Sequence, residues 1–365
     1  MARLSTPKLE ITMTNVVPLR PVADCDDATR LGRLIHAVAT QRRIQGDVFW
    51  LKENAELLGA LTSLETKVDA AALAPLEAFH ANVRQTLRDF PQYYRFILSI
   101  CLDLEDLGLP KGHGAWLCKQ VAHAGFVEAE LSDLQRAEAR RLLRRRGLGE
   151  AVDQGGLGAR LRRFIGRTST FALPNRKAAY ELTHIVYYLS DYGRNDPELA
   201  QEALVSLEYT GVLAFLDQDM DLLAEVCAAL RFAGAMPSPI WEAAVATAQG
   251  QYRISTDPGA TVQDGFHEWL VTGWASQIAG RPALRQPVPE GALRFLRDRI
   301  SGGALRPLAL CLRDLGGARS ADWEQVRPQV LSYLDPDSHA ILVAAERSTT
   351  RFNAFFKGFA RARVQ

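Results

Sequence analysis

The stretch Ala179–Gly193, AYELTHIVYYLSDYG, decides how the chain is read. Leu182, Ile185, Val186 and Leu189 recur at three- and four-residue steps and mark one apolar arc of a helix. At about 100° per residue, Glu181, His184, Tyr188 and Asp191 fall on a separate arc, bordered by Tyr180 and Tyr187. A stripe facing open water usually carries Lys, Arg, Glu and Gln. Here it carries a histidine, two carboxylates and aromatic rings, which suits the lining of a cavity. A carboxylate beside an imidazole fixes its tautomer and raises its basicity, as a general base or a metal ligand requires. Asp191 is therefore expected to orient His184. The competing reading is a buried histidine that only ties helices together. Gly193 is the expected residue just past the helix end.

The same helical period runs outward in both directions, from Asp26–Ala39 to Ala340–Phe359. Gly114–Arg146, Gly291–Ile300 and Ala340–Phe359 each read as one helix. Only EITMTNVV, Glu10–Val17, has the character of a strand. Roughly fifteen helices with short loops predict an all-α protein whose consecutive helices pack antiparallel. Two architectures fit: an α/α toroid around a central cavity, or an α-solenoid. No self-similarity appears at the usual solenoid periods, which favours the toroid. The expected organisation is an N-terminal extension over 1–20 and one helical domain over 21–365.

Composition narrows the function classes. The chain has 365 residues, 47% hydrophobic and 23% charged, so a folded core is expected rather than disorder. A net charge of +1 supplies no global attraction to nucleic acid or an anionic membrane. Five widely spaced cysteines, an odd number with no CxxC, argue against a disulfide framework and against a zinc site built from cysteines alone. The first residues lack a basic stretch leading into an apolar core, and no window reaches membrane-spanning length. The expectation is a cytoplasmic protein. Ten arginines lie between Arg136 and Arg167, a candidate surface for an acidic partner or else a solvated helix face.

Two later stretches supply partners for His184. DQDMDLLAEV places Asp217, Asp221 and Glu225 four apart, with Asp219 or Asp221 able to cap the helix. FHEWLVTGW puts His267 in a first helical turn, with Trp274 seven residues on. Val271 stands where HExxH needs its second histidine, which excludes a zincin. The positive end of that helix is expected to keep His267 neutral. His184, Asp191, Asp221, Glu225 and His267 are the candidate catalytic residues, and Glu181, Tyr187, Tyr188 and Trp274 the candidate ligand contacts. The two histidines with the carboxylates also form an acceptable metal set. The remaining histidines, His36, His80, His113 and His339, read as isolated surface or capping residues.

LTHIVYYLSDYG, DMDLLAEV and FHEWL together resemble uncharacterised bacterial all-α proteins that share an LTHxxFYLTDFG-type helix followed by DLLxE-type and YH-type helices. The upstream YRFILSICLDLEDLG and AELSDLQRAEARRLLRRRG are similar too, so the likeness spans about residues 90–280, half the chain. The resemblance implies an α/α-toroid-like fold and a role in tailoring a peptide or small metabolite. His184, Asp191, Asp221, Glu225 and His267 hold its recurring positions, and Phe266 stands where the pattern has Tyr. The functional expectation is an enzyme or a small-ligand- or peptide-binding protein that works by His/carboxylate acid–base chemistry in a polar central cavity. The alternative is a non-catalytic helical interaction module that uses the basic face.

Overall fold

The computed structural model describes residues 26–149, 155–257, 263–298 and 302–362, so the strand-like Glu10–Val17, Cys25 and the 1–20 extension lie outside the described residues. The chain folds as one mostly helical domain, 69% helix. The N-terminal half runs α1 (Asp27–Thr40), α2 (Val48–Ser63), α3 (Ala70–Asp89), α4 (Tyr94–Leu107), α5 (His113–His123), α6 (Phe126–Ala129) and α7 (Asp133–Arg144). There follow α8 (Leu157–Ile165), α9 (Thr168–Phe171), α10 (Arg176–Ser190), α11 (Gln201–Asp217), α12 (Met220–Phe232) and α13 (Pro239–Gly250). A two-stranded antiparallel ribbon, β1 (Arg253–Thr256) with β2 (Leu293–Leu296), brackets α14 (Phe266–Ile278). The chain finishes with α15 (Leu305–Asp314), α16 (Trp323–Tyr333), α17 (Pro336–Arg347) and α18 (Phe352–Ala360).

Local chemistry sets these boundaries. Asp47, Ser132, Asn175 and Asp219 cap α2, α7, α10 and α12, each side chain accepting a first-turn N–H. The expected single helix over Gly114–Arg146 is broken at Gly125, which sits at φ 69°, and again where Glu130 turns extended. Ala340–Phe359 likewise divides between α17 and α18. The expected helix over Gly291–Ile300 is corrected more sharply. Leu293–Leu296 is a strand, with Phe295 opposite Ile254 and its N–H donating to Asp264 Oδ2 at 2.9 Å. That long-range pairing outweighs a short, ambiguous local pattern.

Two apolar cores meet in the middle of the molecule. One holds Trp50, Leu58, Leu76, Ile97 and Leu117, with the ribbon residue Phe295; the other holds Leu182, Leu207, Leu223, Trp241 and Phe355. α14 straddles them, sending Phe266, Trp269 and Leu270 into the first and Val271, Trp274 and Ala275 into the second. Around this junction the packing closes on itself. α2 packs on α4, α4 on α7, α7 on α10, α10 on α12, α12 on α14, and α14 back on α2. All six contribute side chains to one cavity. Among the described residues no helix is long and apolar enough to cross a membrane.

Candidate functional site

The cavity within this circuit has a volume of about 100 Å³. Each wall comes from a different helix: Glu56 from α2, Asp103 from α4, Arg141 from α7, His184 and Tyr187 from α10, Glu225 from α12, and His267 and Trp274 from α14. At about 30 Å³ per liquid water molecule, the space admits a group of only a few heavy atoms. It suits the tip of a larger molecule. A second, larger cavity of about 240 Å³ lies alongside, mostly apolar in its side chains, and shares Ala60, Leu270 and Trp274 with the first.

His184 is held by its own helix. Its Nδ1 lies 2.7 Å from the backbone oxygen of Tyr180, one turn earlier. A carbonyl oxygen can only accept, so Nδ1 carries a proton and Nε2 is the nitrogen left to face outward from the helix backbone. The carboxylate beside it belongs to Glu225, 3.7 Å from Nδ1. Glu225 is buried, and its Oε2 accepts the Thr183 hydroxyl at 2.5 Å. Burial pushes the Glu225 carboxyl above its usual range, only partly offset by the neighbouring His184.

The expected orientation of His184 by Asp191 is corrected. α10 ends at Ser190, and Asp191 takes the left-handed conformation at φ 47°, which carries its side chain off the helical stripe. Its carboxylate instead meets Arg141 at 2.7 Å and Arg194 at 3.7 Å. Glu181 pairs with Lys177 at 3.9 Å, and neither it nor Tyr188 reaches the cavity wall. Tyr188 packs edge-on to His184, with ring centroids 6.0 Å apart. Tyr187, with its hydroxyl donating to the Glu225 backbone oxygen at 2.8 Å, does line the cavity, and its ring stands edge-on to Trp274.

His267 is surrounded by acids. Its Nδ1 is 2.9 Å from Asp221 Oδ1 and its Nε2 is 3.6 Å from Glu56 Oε1. Among the described residues no well-aligned donor other than this close ring nitrogen faces Asp221 Oδ1. Tyr180 donates its hydroxyl to the other oxygen at 2.9 Å. The expectation of a neutral His267 is overturned. Burial alone would depress it, but Asp221, Glu56 and Glu225 outweigh both burial and the helix terminus and raise it to about 9. Burial also works against ionised Asp221, yet the imidazolium and Tyr180 hold that carboxyl below its ordinary value. Glu56 goes the other way, raised by burial despite His267 and Lys52. Asp217 ends α11 and Asp219 caps α12, so of the acids spaced along DQDMDLLAEV only Asp221 and Glu225 lie on α12 at this site.

The donor atoms of Asp221, Glu225 and His267 lie within 4.8 Å of one another, a set able to hold a divalent cation once His267 gives up its proton. The sequence reading missed Glu56, Asp103 and Arg141. Glu56 sits in KENAELLGA, an ordinary amphipathic pattern that gives no hint of the role. Ser99 and Asp103, four apart on α4 and joined at 3.2 Å, are the one spacing signal that pointed inward.

About half of the basic stretch is drawn into the molecule, while Arg144, Arg160, Arg162, Arg163 and Arg167 stay exposed. Arg136 and Arg160 pair with Asp133, and Arg141 with Asp191. Arg145 pairs with Asp103 and Asp106, and Arg146 with Glu105 and Asp106. The Arg136 pair lies within α7, the Arg160 pair ties α8 to α7, and the Arg145 and Arg146 pairs tie the end of α7 to α4.

Fold and site together define a helical protein with a small acidic and aromatic cavity at the junction of two cores. The chain belongs to the family of the domain of unknown function DUF6902, which matches residues 13–362. No curated protein and no solved structure matches it.

Proposed function

We propose that the cavity receives the cationic tip of a small metabolite or peptide and moves protons to and from it. His184 accepts at Nε2, and protonated His267 acts as the acid. The observation that carries this reading is the convergence of Glu56, Asp103 and Glu225 on one small space walled by Tyr187, Tyr192 and Trp274, with Asp221 behind it against His267. Burial holds Glu56 and Glu225 above the ordinary carboxylate range despite the neighbouring imidazoles, so a further positive charge would be welcome there, and aromatic faces favour an organic cation over a bare ion. The adjoining apolar cavity gives the rest of such a molecule a place to lie. The closed circuit of six helices supports an α/α-toroid-like reading of the architecture, with this cavity at its centre. A second occupant is favoured by one observation: the clustered donors of Asp221, Glu225 and His267 suit a divalent metal ion.

The test compares n-butylamine, n-butanol and butyrate as thermal-shift ligands. Butylamine should raise the melting temperature in a saturable way, and the other two should not. Glu225→Gln should remove the shift. His184→Ala should cost only on the order of 1 kcal/mol in stability while weakening discrimination among the three. A larger shift with butyrate would refute the cation reading. Several kcal/mol lost in His184→Ala would mark the histidine as a structural hydrogen-bond partner.

A further inference from the structure

Away from the central cavity, α3, α4 and α5 bury a second cluster of metal-ligating groups. His80 is 4% exposed, and Cys101 and Glu105 are fully enclosed, so the expectation of a surface His80 is corrected. One donor atom from each of the three lies within 4.8 Å of the others. His80 Nε2 has no hydrogen-bond partner among the described residues and sits 4.0 Å from Glu105 Oε1. A buried imidazole nitrogen without a partner is costly. Burial, reinforced by the charge of His113, holds His80 below its ordinary value, so its lone pair is available.

His113 stands beside this cluster, outside the three groups whose donor atoms lie within 4.8 Å of one another. Its ring stands edge-on to His80 with centroids 5.0 Å apart, and its Nδ1 is a second buried nitrogen without a partner among the described residues. Its position is built rather than accidental. The N–H groups of Gly112 and Gly114, on either side of it, both donate to Glu105 Oε1 at 2.8 Å. Arg146 donates to Glu105 Oε2 at 2.7 Å. A side chain at position 114 would collide with that carboxylate, its Cβ falling 2.7 Å from Oε2. Supported carboxylates of this kind are a regular feature of metal sites.

We infer that His80 Nε2, His113 Nδ1, Cys101 Sγ and Glu105 Oε1 form a structural zinc site that ties α3, α4 and α5 together. Two imidazoles, a thiolate and a carboxylate are zinc ligands, and an enclosed site with four protein ligands is structural rather than catalytic. At the usual bond lengths tetrahedral ligand atoms stand about 3.4 Å apart, so the three clustered donors must draw together by up to about an ångström and His113 must turn in to supply the fourth ligand. On binding, Cys101 releases its thiol proton to solvent and one N–H bond to Glu105 Oε1 lengthens. Neither the central cavity nor its proposed ligand enters this argument.

Cobalt(II) titration of the full chain tests it. One cobalt per chain should give the intense visible bands of a four-coordinate ion and a near-ultraviolet thiolate-to-cobalt band, both abolished by zinc. Cys101→Ser should eliminate the thiolate band. His80→Gln and His113→Gln should each weaken binding by more than about 100-fold, beyond what loss of a group that merely supports a ligand costs. Cys227→Ser, in the other core, should leave the spectrum unchanged. The half-buried His113 keeps the test decisive if the Cys101 variant fails to fold. No thiolate band, a band that survives Cys101→Ser, or binding lost only in His267→Asn would overturn the assignment.

Discussion

Replacing Arg42 with methionine is expected to cost about 3–5 kcal/mol, the usual penalty for removing one partner from a buried ion pair. Arg42 has no exposed side-chain surface, and all five of its N–H donors are used. Two bonds go to Glu53, at 3.0 and 3.2 Å, and two to Asp264, at 2.9 and 3.0 Å. The fifth reaches the Leu293 backbone oxygen at 2.6 Å. The guanidinium also lies over Phe266 and Phe295, with 4.6 and 5.0 Å to the ring centroids. Asp264 in turn accepts the Phe266 N–H that opens α14 and the Phe295 N–H from the ribbon. Without the guanidinium, Asp264 and Glu53 stay buried with much of their charge uncompensated, although Arg43 still reaches Glu53 at 3.0 Å. The effect should spread to the start of α14 and so to His267. Urea unfolding measures the loss, and a change below about 1 kcal/mol would show the charges find other partners or water.

Alkaline pH should weaken the native protein through His267, and His267→Asn should remove that weakening. The folded value, about 9, stands above the ordinary 6.5. The imidazolium therefore contributes its full stabilisation below about pH 6.5 and loses it as pH rises through about 9. A third of the side chain is exposed, and with solvent screening the loss comes to about 1–2 kcal/mol. Asp221 works on the acid side: its depressed value means stability lost as pH falls through the folded value. Thermal melts from pH 6 to 10 should show wild type falling and His267→Asn nearly flat after subtraction of shared surface titration. Parallel curves would mean that His267 titrates as an ordinary solvated imidazole.

Much of the helical framework could be read from the chain because apolar periodicity and capping side chains are local signals. Asn175 and Asp219 open the two helices that carry His184 and Glu225, and both lie where the pattern puts them. The misses are long-range effects. Asp191 leaves the His184 stripe because one residue turns left-handed, which a helical projection does not represent. Leu293–Leu296 becomes a strand because β1 and Asp264 are there to bond it. His267 is raised first by Asp221, which the sequence placed nearby, and then by Glu56, a residue 211 positions away on a helix with nothing unusual in its sequence. His80 and His113 looked isolated because 33 residues separate them, yet α3 and α5 bring their rings edge to face.

The helix that closes the ring is the last of its six members along the chain, and this governs when the cavity can exist. Trp274 Nε1 donates to Ser63 Oγ across 211 positions, and Arg42 reaches Asp264 across 222. Loop closure on that scale costs entropy before the contacts it permits return anything, so such pairings form slowly and late. During synthesis the walls from α2, α4, α7, α10 and α12 are made first, and Glu56 waits without its imidazolium until α14 has been made. A chain arrested before α14 would therefore carry the walls from the other five helices but no closed cavity.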